Sequence, residues 1–184
     1  MARQSMVRLL SVLRGRRPRA RRATRAPMTA ADPARAPIAD DLRAGVEELV
    51  EFIHDVGGGK IGEPIVQGND IHVALTARDG EEYILKITVT SYLVEPPQCT
   101  FVDRSFDESP QAWPYPHPMG PFRSPAFICT PPTAEFYASH GERVYRHGEG
   151  SLVNTVATIF AALYAPQYVG RLTPGSLDRR RLRL

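Results

Sequence analysis

Cysteine is scarce: Cys99 and Cys129 are the only two in 184 residues, too few for a disulfide scaffold. Lysine is equally rare, with Lys60 and Lys86 standing against twenty-one arginines, a bias we attribute to genome composition and not to chemistry. No apolar run approaches the ~20 residues that a membrane-spanning helix needs. Acidic residues are missing from positions 1–27, which hold nine arginines (Arg3 to Arg25). Residues 36–176 invert this balance, with nine Lys and Arg against eighteen Asp and Glu, a formal charge of −9 in a chain whose total is +3. An acidic body disfavours a general polyphosphate-binding surface, so nucleic acid would be met only by the basic leader.

That leader places a short apolar run, Met6 to Leu13, ahead of its heaviest charge, the reverse of a secretory signal. Its arginine-rich, acid-free character also fits an organellar transit peptide, a nucleic-acid arm, a disordered tail, or a stretch upstream of a true start at Met28. The expectation is a disordered leader over 1–37, a single α+β domain over 38–172 and a basic disordered tail over 173–184. A cytoplasmic location with reduced thiols follows.

A first helix is predicted from Asp40 or Asp41 as N-cap and from apolar Leu42, Val46, Leu49, Val50 and Ile53, whose spacings make one stripe. It should end between Asp55 and Gly59. The run Gly57, Gly58, Gly59, Lys60 lacks the spacing of a phosphate loop and follows a helix instead of a strand. Strands are expected over Pro64–Gln67, Ile71–Ala77, Tyr83–Thr90 and Cys99–Val102, with Asp79-Gly80 as a hairpin turn. Four short strands with tight links make an antiparallel meander. From Asp103 to Pro132 the chain is proline-dense and lacks periodicity, a long loop of the kind that carries function. A helix over Thr133–Tyr145 and another capped by Ser151 and closed before Pro166 complete the reading.

This order of a helix, a four-stranded meander, a long loop holding one cysteine and C-terminal helices resembles the ubiquitin-conjugating enzyme fold. Local strings add to the likeness. Tyr92, Pro96, Pro97, Cys99 and Phe101 are similar to the segment that follows the family's third strand. His117-Pro118-Met119 ahead of Phe127-Ile128-Cys129 resembles the family's His-Pro-Asn motif and active cysteine, and Ser151 to Pro166 looks like its later helix. The resemblance covers roughly residues 38–170 and suggests a divergent bacterial member of the superfamily. It departs at Met119, where the family has the asparagine that supports the loop and the thioester oxyanion, and at Thr130-Pro131-Pro132 after the cysteine.

The resemblance implies that Cys129 carries a ubiquitin-like protein as a thioester, received from an activating enzyme, and passes it to an amine of an unidentified acceptor; it implies no cofactor. Cysteine suits this role because its thiolate is a strong nucleophile and its thioester stays reactive toward amines. A lone cysteine is otherwise a small buried hydrophobe, the expectation for Cys99 beside Phe101. His117 would brace its loop, with direct proton transfer as the alternative. Trp113, Tyr115 and Met119 are the candidate binding residues, with packing under the loop as the competing role for the two aromatics. An inactive adaptor of the same fold is the alternative function. A lesser alternative is a zinc site using Cys129, His140 and His147, with His117 or water as fourth ligand, because the two histidines would share a face of a continuous helix. Glu142 and Glu149 are candidate proton acceptors, or plain surface carboxylates.

Overall fold

The apolar stripe expected first forms α1 (Asp40–Val56) in a computed structural model that describes residues 40–123 and 126–173. Leu42, Leu49 and Ile53 are buried along one side. Asp40 and Asp41 lie within the first turn, where carboxylates complement the positive end of the helix dipole. The helix stops where Gly58 and Gly59 take positive φ values of 52° and 73°, which L side chains resist. The expectations for the leader and for the tail beyond residue 173 fall outside the described residues.

Four strands follow, β1 (Ile65–Gln67), β2 (Asp70–Thr76), β3 (Glu82–Thr88) and β4 (Gln98–Val102), paired antiparallel in sequence order. The β2–β3 register runs from Asp70 opposite Thr88 to Thr76 opposite Glu82. It closes through the expected turn, in which Gly80 has φ 87° and the Asp79 carboxylate accepts from the Glu81 amide. Strand alternation sends Ile71, Val73, Leu75, Tyr83, Leu85, Ile87, Cys99 and Phe101 to one face, and all are buried. Each fully buried aliphatic side chain contributes about 1.5–3 kcal/mol.

The same core takes in α1 and α3 (Leu152–Ala162), with Leu152, Val156 and Ile159 wholly buried. Ser151 caps α3 as expected, its hydroxyl accepting from the Asn154 amide at 3.2 Å. The two helices meet across Gly45 and Tyr92. A Cβ on Gly45 would fall 2.1 Å from the Tyr92 hydroxyl oxygen, which also accepts from the Leu152 amide.

The helix expected over Thr133–Tyr145 is much shorter. It is α2 (Ala134–Ser139), and His140 closes it by bonding the Phe136 carbonyl through both its backbone amide and Nδ1. Gly141 and the turns after it leave the next stretch non-helical. None of the described helices is long and apolar enough to cross a membrane.

Candidate functional site

The proline-dense loop is ordered by aromatic packing and by a C-terminal strap. Trp113 is buried edge-on against Phe101 at 5.3 Å between ring centroids, which removes it as an exposed docking residue and gives it the packing role. The Tyr115 amide donates to the Gly170 carbonyl at 2.7 Å and the Leu172 amide to the Trp113 carbonyl at 2.9 Å. The strap itself is fastened to the β2–β3 hairpin. Tyr168 donates from its hydroxyl to the Asp79 carboxylate and contacts the Tyr83 hydroxyl at 3.0 Å, and Arg171 pairs with Glu81 while lying over the Tyr83 ring. Burial, then the bonds to Tyr83 and Asp79, raise the Tyr168 hydroxyl far above its ordinary range.

Within the loop, β5 (Phe122–Arg123) and β6 (Phe127–Ile128) form a small hairpin in which Phe122 faces Ile128. Both are buried, so this pair marks the core side. The ladder continues one rung, the Cys129 amide donating to the Pro121 carbonyl at 2.6 Å, while the His117 amide donates to the Phe122 carbonyl at 3.0 Å. The His117 and Cys129 segments are therefore held to the two sides of one dipeptide, Pro121-Phe122. Alternation puts Cys129 on the side of Phe127, opposite Ile128. Its residue is half-buried, whereas Cys99 is buried in the core, where desolvation drives the thiol pKa well up.

His117 Nδ1 accepts from the Met119 amide at 3.1 Å, so the neutral ring carries its proton on Nε2. The turn is tight, because the Gly120 amide also donates to the His117 carbonyl and a Cβ at Gly120 would stand 3.2 Å from Gln167 and from His117. Met119 is 80% exposed. Its thioether has no hydrogen-bond donor, and its amide is already engaged by His117.

After Cys129 the chain is pinned by a residue that the sequence reading marked only as a helix boundary. Thr133 is fully buried; its hydroxyl donates to the Ile128 carbonyl at 2.7 Å or the Thr130 carbonyl at 2.9 Å, and accepts from the Phe136 amide as the cap of α2. A threonine just ahead of a helix is a capping signal; its second duty on the strand that leads into Cys129 has no local signature.

The zinc constellation does not assemble. With α2 ended at Ser139, His140 stacks on Phe136 at 4.4 Å and His147 lies exposed beyond it, and among the described residues no three His, Cys, Asp or Glu side chains converge to hold a metal. Glu142 and Glu149 instead line an open cleft of about 460 Å³ with Pro131, Tyr137, Arg143 and Arg146. Glu149 accepts from the Arg146 amide at 3.1 Å. Burial, reinforced by the Glu149 carboxylate, pushes the Tyr137 hydroxyl up to about 12.

The fold and site thus define an α+β protein with a four-stranded antiparallel sheet, flanking helices and a half-buried thiol at the end of a loop hairpin. None of the family models, curated proteins or solved structures compared with the chain matches it.

Proposed function

We propose that the protein is a conjugating carrier resembling the ubiquitin-conjugating enzymes, which holds a ubiquitin-like protein as a thioester on Cys129. The observation that carries this reading is the position of Cys129, half-buried on a ladder shared with His117 and outside the core that takes Cys99. A thiol there keeps a path to a macromolecular partner while its backbone stays fixed, which suits a group that must meet two partners in turn.

In the first step the Cys129 thiolate attacks the thioester carbonyl carbon presented by an activating enzyme. A new carbon–sulfur bond forms and the activating enzyme's thiolate leaves. In the second step a neutral acceptor amine attacks the same carbon, a carbon–nitrogen bond forms, and the bond to Cys129 breaks. The amine's proton passes to the departing thiolate. His117 braces its loop by accepting the Met119 amide at Nδ1.

A small diglycyl thioester of mercaptoethanesulfonate tests the nucleophile without the unidentified protein partners. Intact mass should show acylation of native wild-type protein and none of Cys129→Ala, with Cys99 untouched. Equal acylation of both proteins would sink the reading. One observation favours a second reading, a non-catalytic adaptor of the same fold: the exposed Met119 offers no donor to an oxyanion where the family has an asparagine. An adaptor would leave Cys129 unacylated while the fold stays intact.

A further inference from the structure

The sheet face turned away from the core is roofed at one point. His72 of β2, opposite Lys86 of β3, stands on that face, yet it is only 3% exposed. The Phe106 ring lies over it, 4.2 Å between ring centroids and 27° from parallel. Nδ1 of the covered imidazole has no hydrogen-bond partner, whereas buried polar atoms are ordinarily bonded.

The loop that brings Phe106 there is built as a unit. The Asp103 carboxylate accepts from the Ser105 and Asp107 amides at 2.8 and 3.2 Å, the Asp103 carbonyl from the Phe106 amide at 3.0 Å, and the Asp107 carbonyl from the Asp103 amide at 2.9 Å. Phe106 has φ 67°, in the left-handed region where a bulky side chain is strained. Residues 103–107 thus hold one another, and the strained residue is the one whose ring covers His72. From this tip Arg104 reaches Glu82 at 3.8 Å, a contact between exposed side chains that fastens little. A bridge between Val102 and Glu108 closes the base. Once the ring contact is lost, the tip can swing from that base as one piece.

The ring contact depends on the charge of His72. Asp70 on the same strand favours an imidazolium, but its carboxylate is already held by Lys86 Nζ at 3.1 Å and by the Thr88 hydroxyl at 2.7 Å, and Lys86 opposes a second cation. From β1 the Ile65 backbone bonds the ring and favours the proton. In the loop, Asp103 is engaged by two amides and Arg104 faces Glu82, while Asp107 and Glu108 form no ion pair among the described residues and neither reaches Nδ1. Burial outweighs the favourable contacts, so the covered ring holds a proton less readily than a free one. The Phe106 face attracts a cation weakly, whereas a protonated Nδ1 beneath it would be a donor with neither water nor an acceptor.

We propose that residues 103–107 are a pH-operated lid on the outer sheet face, closed by Phe106 on neutral His72 and released when His72 takes up a proton. The closed state binds the proton less well, so closure is complete above the uncovered ring's value of about 6.5 and is lost as pH falls below it. Between the uncovered and covered values the open-to-closed ratio rises about tenfold per pH unit. Opening bares an imidazolium beside the Lys86–Asp70 pair, giving this face a positive charge that it lacks at neutral pH. The lid does not depend on the thioester reading of Cys129.

The test follows the ¹⁵N,¹³C-labelled full chain by NMR from about pH 7.5 to 5.5. Cross-peaks between the Phe106 and His72 rings should fade, and the heteronuclear NOE of the Ser105, Phe106 and Asp107 amides should fall, in step with titration of the His72 Cε1 shift. The amides of α1 and α3 should keep their positions. Because coupling is reciprocal, Phe106→Gly, which removes the ring and relieves the left-handed strain, should raise the His72 pKa toward about 6.5. In His72→Asn the order of the loop should no longer change with pH. A His72 that titrates with its ring cross-peaks intact, a pKa unmoved by Phe106→Gly, or a loop that still loosens in His72→Asn overturns the proposal. Collapse of the α1 and α3 amide dispersion together with the ring contact is global unfolding and overturns it as well. The wild-type and Phe106→Gly readouts decide the matter whether or not the asparagine variant folds.

Discussion

Replacing Thr133 with valine should loosen the segment that carries Cys129 without opening a cavity, because the two side chains have nearly the same volume. The hydroxyl makes three contacts, but they are not equally costly to lose. The Phe136 amide keeps a bond to the Thr133 carbonyl at 3.1 Å, and the Thr130 carbonyl keeps the Thr133 amide at 3.0 Å. The Ile128 carbonyl is the acceptor left unmet, at about 1–3 kcal/mol for a buried group. Loss of the cap adds about 1 kcal/mol. The expected destabilisation is therefore about 2–4 kcal/mol, a fall of about 1–2 M in urea midpoint for a small domain. Urea unfolding followed by far-UV circular dichroism measures it, with Thr133→Ser as the control that restores the hydroxyl. Hydrogen exchange at the Cys129 amide should quicken in the valine variant under native conditions. A Thr133→Val midpoint within about 0.3 M of wild type, on that same urea scale, would refute the idea that this hydroxyl fixes the end of β6.

Tyr168→Phe removes the hydroxyl that ties the C-terminal strap to Asp79 and Tyr83, and should cost about 1–2 kcal/mol in thermal or urea unfolding, since water can re-solvate the exposed carboxylate. His72 is buried under the Phe106 ring at 4.2 Å, and burial lowers its pKa against the opposing charge of Asp70 and with the help of Lys86. A ring that binds its proton less readily when folded supplies stability that is complete above its unfolded value of about 6.5 and is lost as pH falls below it. The urea midpoint should therefore drop between about pH 7.5 and 5.5, and a drop of the same size in His72→Asn would count against this assignment. Met119→Asn should speed aminolysis of an acylated Cys129 by tenfold or more if an oxyanion donor is what the site lacks, on the scale of about 10²–10³ for one such donor; an unchanged rate would mean that the loop presents no donor there. Gly45→Ala should destabilise the fold, measured by urea unfolding, although the same change on an open helix face stabilises by about 0.5–1 kcal/mol.

The meander was legible because its strands read as alternating or apolar runs, with Asp79-Gly80 at the turn that closes the β2–β3 register. Both long helices were legible from their stripes and, for α3, from Ser151. The helix expected over Thr133–Tyr145 ends early because Gly141 and the ring of His140 terminate the chain's helical bonds after Ser139. The zinc alternative depended on that continuity and goes with it. Contacts between parts distant in sequence left no pattern to read. The Tyr92 ring against Gly45, the Tyr168 hydroxyl on Asp79 and the junction of Glu135 with the β3–β4 face all depend on how the loops return to the sheet.

The different standing of the two cysteines follows from alternation on two strands. Cys99 sits one residue from Gln98 and shares its face of β4 with Phe101, so the register that buries Phe101 against Tyr83 buries the thiol as well. Cys129 stands one residue past Ile128, beyond the end of β6, and is half-buried where Ile128 is buried against Phe122. A slip of one residue in the small hairpin would exchange Ile128 and Cys129 between core and surface. Such a slip is opposed by the His117 amide on Phe122, the Cys129 amide on Pro121 and the Thr133 hydroxyl on Ile128, all within eight residues of the pair that sets the register. Because a hairpin of two-residue strands is too short to fix its own register, the half-buried placement of Cys129 is a property of these three bonds more than of the cysteine's immediate neighbours.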